Sequence, residues 1–89
     1  MYIVRDVLIA KPGLASKLAA MMKEAWPEAK VMTDMTGVFN KVVMEAEYPD
    51  LAAFERHLQE YMAGKAGQPK MTGYTEMYSQ GKREIYRVW

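Results

Sequence analysis

The feature that most constrains the fold of this chain is the order of its periodic segments: strand, helix, strand, strand, helix, strand. Two stretches, Leu14–Trp26 and Leu51–Met62, carry apolar residues at the spacing of an amphipathic helix. This order predicts a βαββαβ arrangement of the α+β class, in which an antiparallel sheet of four strands carries both helices on one face.

Four β-rich runs supply the strands of the predicted sheet. Tyr2–Ala10 is apolar at both alternating sets of positions, which is typical of a central strand covered on both faces. Val31–Thr36 and Val38–Tyr48 follow as a pair of strands. Gly73–Trp89 is a β-rich tail interrupted at Gln80-Gly81, which favours either a hairpin or an extension that reaches a neighbouring subunit.

Length and charge limit the classes of protein that the chain can belong to. With 89 residues, we expect residues 1–89 to form one domain, which buries only about 60–65% of its unfolded surface. The net charge is +1, and no cluster of basic residues forms a stripe, so we expect no binding to nucleic acid. The chain has no cysteine, which excludes disulfides and cysteine-based catalysis or metal binding.

The N-terminal segment also bears on location. Arg5 and Asp6 follow the first four residues, so the segment has neither the apolar core of a signal peptide nor the length of a membrane span. We therefore expect a cytoplasmic protein without a membrane partner.

A sheet with both helices on one face leaves its other face bare. Along the first strand, Ile3, Val7 and Ile9 lie on one face, while Val4, Leu8 and Ala10 lie on the other. Both faces are therefore partly apolar, and a bare apolar face favours association. The sequence predicts a homodimer that forms through the sheet face.

Several segments resemble one known superfamily. They are Lys11-Pro12-Gly13 after the first strand, Asp34–Phe39 between the middle strands, Tyr48–Phe54 at the start of the second helix, and Gly81–Tyr86 near the C-terminus. The chain resembles the dimeric α+β barrel (ferredoxin-like) superfamily, in its NIPSNAP-like branch, which is related to the antibiotic-biosynthesis-type monooxygenases. The resemblance implies a homodimer whose sheets pack face to face, with a small-molecule cleft between each sheet and its helices.

The same superfamily includes haem-degrading enzymes, which use an asparagine on the first strand and a tryptophan and a histidine on the second helix. This chain has Arg5 and Asp6 on the first strand, and its second helix has His57 but no tryptophan. The resemblance therefore does not extend to haem degradation, and the NIPSNAP-like branch supplies no catalytic residues to carry over.

His57 and Asp6 are the candidates for a catalytic role. His57 is the only histidine, and histidine is the side chain that titrates near neutral pH. It lies at the border of the apolar stripe of the second helix, where it is either a general base at a cleft or an ordinary surface residue. Asp6 lies in the middle of an apolar strand, where a charge is costly unless it is paired.

Arg5 shares this position in the strand, and two roles remain open for both charges. They either bind a polar group of a ligand or form ion pairs with Lys41, Glu45 or Glu47 of the neighbouring strand, or across a dimer seam.

An apolar cleft is also consistent with the residue content, which includes nine methionines and six tyrosines. Core packing is the more common use of such residues, and for any one of them it is the favoured interpretation. The four residues that we predict to contact a ligand are Arg5, His57, Tyr61 and Tyr78. With one histidine and no Gly-rich phosphate loop, we expect neither a metal site nor a cofactor.

Three functions are consistent with these features. The first is a homodimer that binds a small hydrophobic or aromatic molecule in a cleft between sheet and helices. The second is a cofactor-independent monooxygenase or isomerase acting on an aromatic or polyketide-like substrate. The third is a structural or regulatory subunit without a ligand, for which the interior should be filled.

Overall fold

The computed structural model describes residues 1–65 and 68–89, and its elements follow the predicted order. Two short 3₁₀ turns, Gln68–Met71 and Tyr74–Glu76, precede the last strand. The strands and helices are Tyr2–Ala10 (β1), Ala15–Ala25 (α1), Lys30–Thr33 (β2), Lys41–Tyr48 (β3), Leu51–Met62 (α2) and Tyr78–Arg87 (β4).

The four strands form one antiparallel sheet in the order β2-β3-β1-β4. β1 is therefore a central strand, as its apolar pattern predicts. Val4 lies opposite Ala46 of β3 and Ile85 of β4, which fixes the register of the three strands. Because side chains alternate between the faces of a strand, this register also fixes which residues share a face.

Both helices pack on the same face of the sheet, which confirms the predicted α+β fold. Leu18 and Met22 of α1 belong to one buried cluster with Val42 of β3. On α2, Phe54 lies edge-on against Tyr48 of β3, with ring centroids 5.4 Å apart. These strand residues all belong to the even-numbered set, and none of the helices within residues 1–65 and 68–89 lies on the opposite face.

The core is concentrated under α1 rather than under α2. Its fully buried residues come from α1, from the strands and from the loop before β4, whereas α2 has no buried residue. The cluster consists of Ala10, Leu18, Met22, Val42, Met71 and Met77. α2 contacts the sheet through large, partly exposed aromatic side chains, so space remains between this helix and the strands.

The ends of the helices follow the local signals in the sequence. Asp50 is the N-cap of α2, where its Oδ1 accepts a hydrogen bond from the backbone N–H of Ala53 at 2.7 Å, as expected for an aspartate in this position. Leu14 and Trp26 flank α1 as its two cap residues. Trp26 precedes Pro27, which disfavours the α conformation at the residue before it.

The prediction of a break at Gln80-Gly81 is wrong. β4 continues through this dipeptide and pairs with the chain's own β1 along its whole length, with one bulge where Ile9 faces Gln80 and Ala10 faces Tyr78. Gly81 has a different role from that of a turn residue. A Cβ at this position would lie 2.8 Å from Cδ2 of Leu8, so the glycine permits a close approach of the neighbouring strand.

The two middle strands are shorter than predicted because the connection between them is a structured turn. Oδ1 of Asp34 accepts hydrogen bonds from the backbone N–H groups of Thr36 at 2.9 Å and Gly37 at 2.7 Å. Nζ of Lys41 lies 3.3 Å from the other carboxylate oxygen of Asp34, Oδ2. Asn40 has a φ of 64°, a left-handed conformation that asparagine tolerates, and it ends the turn.

This turn leads to a prediction about pH. The two backbone N–H groups, followed by Lys41, lower the pKa of Asp34 from 3.8 to about 2. The folded state therefore binds this proton less tightly than the unfolded state, so the turn stabilises the fold above about pH 4 and loses that contribution between about pH 4 and pH 2. We expect a carboxyl ¹³C titration to give Asp34 a midpoint near 2, well below 3.8.

The variant Lys41→Met provides the control, because it keeps the two backbone donors and removes the ammonium group. Because the two backbone hydrogen bonds lower the pKa of Asp34 more than Lys41 does, the Asp34 midpoint of this variant should rise only part of the way toward 3.8. A midpoint near 3.8 in the unmodified chain would contradict the turn geometry.

Candidate functional site

A cleft of about 370 Å³ lies between α2 and the helix-covered face of the sheet. Strands β1, β3 and β4 form its floor, while α2, the end of α1 and the turns before β4 form its walls. The cleft exists because α2 packs through aromatic rings at its first turns and has no buried aliphatic residue. Six aromatic residues line it: Trp26, Tyr48, Phe54, Tyr61, Tyr74 and Tyr78.

The aromatic wall is densest at the end of the cleft that lies near α1 and the turns. Trp26 and Tyr61 have ring centroids 5.5 Å apart, and Tyr74 stacks on Tyr78 at 5.7 Å. Such pairs present flat apolar surfaces with polar edges, which suit a planar ligand. Nε1 of Trp26 is buried and has no hydrogen-bond partner within residues 1–65 and 68–89.

Tyr61 remains protonated in this setting. Burial, together with the neighbouring hydroxyl of Tyr74 and the charge of ionised Tyr74 and Tyr78, raises the pKa of Tyr61 above its usual value of 10. Tyr61 therefore supplies a hydroxyl that donates and accepts hydrogen bonds, and it is not a base at neutral pH.

The other end of the cleft is polar. Nε of Arg83 donates a hydrogen bond to Oδ1 of Asp6 at 2.7 Å, and the guanidinium lies 5.3 Å from the centre of the Phe54 ring. Asp6 and Arg83 are register partners on β1 and β4. Asp6, Tyr48 and Arg83 all line the cleft. Burial and the charge of Asp6 raise the pKa of Tyr48, and Arg83 opposes this shift.

His57 lies between the two ends. Its ring is 5.9 Å from that of Tyr48 and 6.4 Å from that of Trp26, measured between centroids. In the part of the chain that the structure describes, no carboxylate forms a hydrogen bond with its ring nitrogens. The structure therefore places His57 in the cleft without the acidic partner that orients the histidine of many general bases.

Four of the five residues singled out from the sequence meet in this cleft: Asp6, His57, Tyr61 and Tyr78. Arg5 does not, because adjacent residues of a strand point to opposite faces. It lies on the bare face, where its Nη2 is 2.7 Å from Oε1 of Glu45. The cross-strand ion pair with Glu45, one of the alternatives for Arg5, is thus confirmed.

For Asp6 the partner differs from the predicted ones. Its ion pair is formed with Arg83 of β4, whereas the sequence suggested Lys41, Glu45 or Glu47 of β3. Those β3 residues have odd numbers and lie on the bare face, so they are on the wrong side of the sheet for Asp6.

Sequence reasoning missed several residues of the cleft, above all Trp26 and Arg83. Trp26 ends the first predicted helix, and the Pro27 that follows it gives no hint of a cleft. Arg83 is 77 positions from Asp6, so only the strand register reveals their pairing. An arginine opposite a half-buried aspartate indicates an ion pair, but the two can be matched only once the strand register is known.

Neither a metal centre nor a membrane-spanning helix is found in the described ranges. Within residues 1–65 and 68–89, no three His, Asp or Glu side chains are grouped so that they could hold a metal ion. In the same ranges, no helix has the length and apolar character needed to cross a bilayer.

Comparison with solved structures relates the fold to known proteins. A NIPSNAP family protein from Agrobacterium tumefaciens superimposes with a TM-score of 0.78 at 10% identity, covering 99% of this chain and 85% of the other. A NIPSNAP domain protein from Burkholderia xenovorans gives a TM-score of 0.77 at 13% identity, covering 100% and 95%. An antibiotic biosynthesis monooxygenase gives 0.75 at 15% identity, covering 100% and 99%.

At these identities the similarity shows the fold, and it confirms the resemblance at that level. No protein-family model matches the sequence, and no curated protein matches it either. The chain is a small α+β protein with the ferredoxin-like fold that these NIPSNAP and monooxygenase structures share.

Proposed function

We propose that the chain binds a small hydrophobic or aromatic molecule in the cleft between the sheet and α2. The observation that supports this most is the aromatic lining of six side chains around a space of about 370 Å³. Ligand sites in proteins typically occupy about 300–1,000 Å³ and combine apolar walls with a few polar groups. Asp6, His57 and Arg83 supply those polar groups here.

A structural subunit without a ligand is the weaker alternative. Such a protein has no use for an aromatic cleft of this size, because closer packing of α2 on the strands would remove more apolar surface from water. The chain instead retains large aromatic rings that hold α2 away from the strands. This arrangement favours a binding protein.

The neutral probe N-phenyl-1-naphthylamine, which fluoresces in apolar sites, tests this proposal. We expect a saturable rise in its emission on titration with the protein. Ala46 lies on the cleft floor, so Ala46→Trp should fill the space and weaken the probe's binding at least tenfold.

Ala52→Trp is the matched control, because Ala52 lies on the exposed surface of α2. It adds the same indole outside the cleft and should leave binding of the probe unchanged. Circular dichroism establishes that both variants are folded. Equal saturable binding to both variants, or no saturable binding to the unmodified chain, would refute a ligand cleft at this place.

We also propose that two copies associate through the bare face of the sheet. Several apolar side chains on this face have no helix to cover them, and the ion pair of Arg5 with Glu45 lies among them. The apolar residues, assigned to this face by the strand register, are Ile3, Val7, Ile9, Met32, Val43 and Tyr86. An apolar sheet face of this kind is usually covered by another layer.

A cofactor-independent monooxygenase is a second candidate, supported by the position of His57 inside the cleft. In this reaction His57 takes the hydroxyl proton of a phenol or hydroxyquinone, and the resulting anion passes electrons to O2. For a phenol, one atom of O2 becomes the oxygen of a new ring carbonyl, and the other atom leaves as water. The substrate supplies all four electrons, so phenol and O2 give quinone and water.

Oxygen uptake with a panel of hydroxyquinones tests the enzyme. If His57 is the base, we expect His57→Ala to lower turnover by about 10²–10⁴-fold, the usual contribution of general-base catalysis. Unchanged turnover in this variant would remove His57 from the mechanism. Absence of uptake with every compound would leave binding alone as the function.

A further inference from the structure

We infer that the ligand of the cleft is an aromatic carboxylate, whose acid group is bound by the guanidinium of Arg83. This inference rests on the proposed binding function. It adds the charge of the ligand and the residue that binds the charged group. The argument depends on the donors that Arg83 leaves unused, on the sign of the charge at the polar end, and on the aromatic surface beside it.

Arg83 has more hydrogen-bonding capacity than its protein partner uses. Nε donates to Oδ1 of Asp6 at 2.7 Å, and across residues 1–65 and 68–89 its two terminal nitrogens form no hydrogen bond. A guanidinium carries five N–H donors, and its two terminal nitrogens form a fork that matches the two oxygens of a carboxylate. Asp6 holds the Nε edge, so this fork remains available.

The position of the guanidinium is fixed on two sides. Asp6 holds its Nε, and the ring of Phe54 lies against it at 5.3 Å. The arginine thus bridges β4 and α2 at the polar end of the cleft. A donor held in place in this way loses little conformational entropy when a ligand binds, which raises affinity.

The charges at this end favour an anion over a cation. Asp6 is the less exposed partner of the ion pair, at 23% of its side chain against 42% for Arg83. A cationic head group would have to approach Asp6 past the arginine, and Arg83 already occupies the face of Phe54. Lys82 is the register partner of Val7, so its side chain belongs to the bare face, where its ammonium group lies 3.0 Å from Oε2 of Glu84.

The aromatic body of the ligand follows from the walls next to Arg83. Tyr48 and Phe54 lie beside the guanidinium, and Trp26 and Tyr61 continue the same lining toward α1. A flat ring attached to a carboxylate places its acid group at Arg83 and its ring between these side chains. Offset and edge-to-face contacts would each strengthen such a complex.

Three compounds that share one body but differ in the charge of the head group test the inference: cinnamate, cinnamyl alcohol and cinnamylammonium. Binding is followed by the ¹H–¹⁵N signal of the Trp26 indole, because this N–H lies in the wall of the cleft. Trp89 gives the second indole signal, and Trp89→Phe assigns the two. We expect cinnamate to bind at least tenfold more tightly than the alcohol, and cinnamylammonium to bind most weakly.

The chain offers a matched pair of arginine variants, since Arg5 and Arg83 each form an ion pair with a carboxylate on a neighbouring strand. Arg83→Gln should reduce the affinity for cinnamate to that of the alcohol and leave the alcohol unchanged. Arg5→Gln, on the bare face, should change neither. Arg83→Lys keeps the charge without the fork and should retain only part of the preference.

The outcomes separate this inference from the function on which it rests. If the alcohol binds as tightly as cinnamate, or if Arg83→Gln preserves the preference for cinnamate, the cleft binds aromatic molecules but Arg83 does not bind their acid group. If none of the three compounds shifts the Trp26 signal and the naphthylamine probe also fails to bind, both the carboxylate and the binding function are refuted. Binding of the probe alone refutes the carboxylate.

Discussion

Replacing Leu18 by alanine is expected to lower the free energy of unfolding by about 3 kcal/mol, within the range of about 2–5 kcal/mol for buried leucines. Leu18 has 0% of its surface exposed and belongs to the same buried cluster as Met22 and Val42. The shortened side chain leaves a void that α1 cannot close without losing its contacts with the sheet. For a chain of this size, the melting temperature should fall by more than about 10 °C.

Leu51→Ala is the control for this prediction. Leu51 begins α2 and is 47% exposed, so the same truncation should change stability by less than about 0.5 kcal/mol. Urea denaturation of both variants at one protein concentration measures the difference, because association would make stability depend on concentration. Equal losses in the two variants would show that the core is not centred on α1.

The sequence predicts best those elements whose signals are local. α2 has its predicted bounds because the apolar spacing and the Asp50 cap act within a few residues of one another. The middle strands are less well predicted, because the side chain of Asp34 forms a turn in residues that also suit a strand. Local patterns indicate the type of an element more reliably than its ends.

β4 shows what local patterns cannot supply. A Gln-Gly pair in a β-rich segment looks like a turn, but here the glycine makes room for Leu8 of the strand beside it. Leu8 and Gly81 are register partners that lie far apart in the sequence. The reason for this glycine is therefore a contact between strands, and nothing near it in the sequence reveals that contact.

The same distinction applies to the candidate site. Asp6 could be recognised as a costly charge in an apolar strand, and His57 as the only histidine. That Arg5 lies apart from Asp6 follows from strand alternation alone. The pairing of Asp6 with Arg83 depends on the strand order, and the aromatic wall depends on how far α2 lies from the sheet. Neither quantity is a property of any one segment.

Replacing Val43 by aspartate is expected to convert a dimer into a monomer. Val43 lies on the bare face, opposite Val7 of β1 and Met32 of β2. In the proposed dimer, an aspartate there would be buried between two sheets. Two lysines of this face already have acidic partners, since Lys41 pairs with Asp34 and Lys82 with Glu84. An unpaired buried carboxylate costs several kcal/mol per copy, and the symmetry of a dimer applies this cost twice.

Light scattering after size exclusion measures the result directly. The unmodified chain should have twice the chain mass of 10.2 kDa at micromolar concentration, and Val43→Asp should have the mass of one chain. Val43→Thr has nearly the shape of valine and no charge, so it should remain dimeric. Tyr86→Asp repeats the test at a position that is already exposed in one chain, where folding tolerates the change. A mass of 10.2 kDa for the unmodified chain, or dimers in both aspartate variants, would show that two copies do not associate through the bare face.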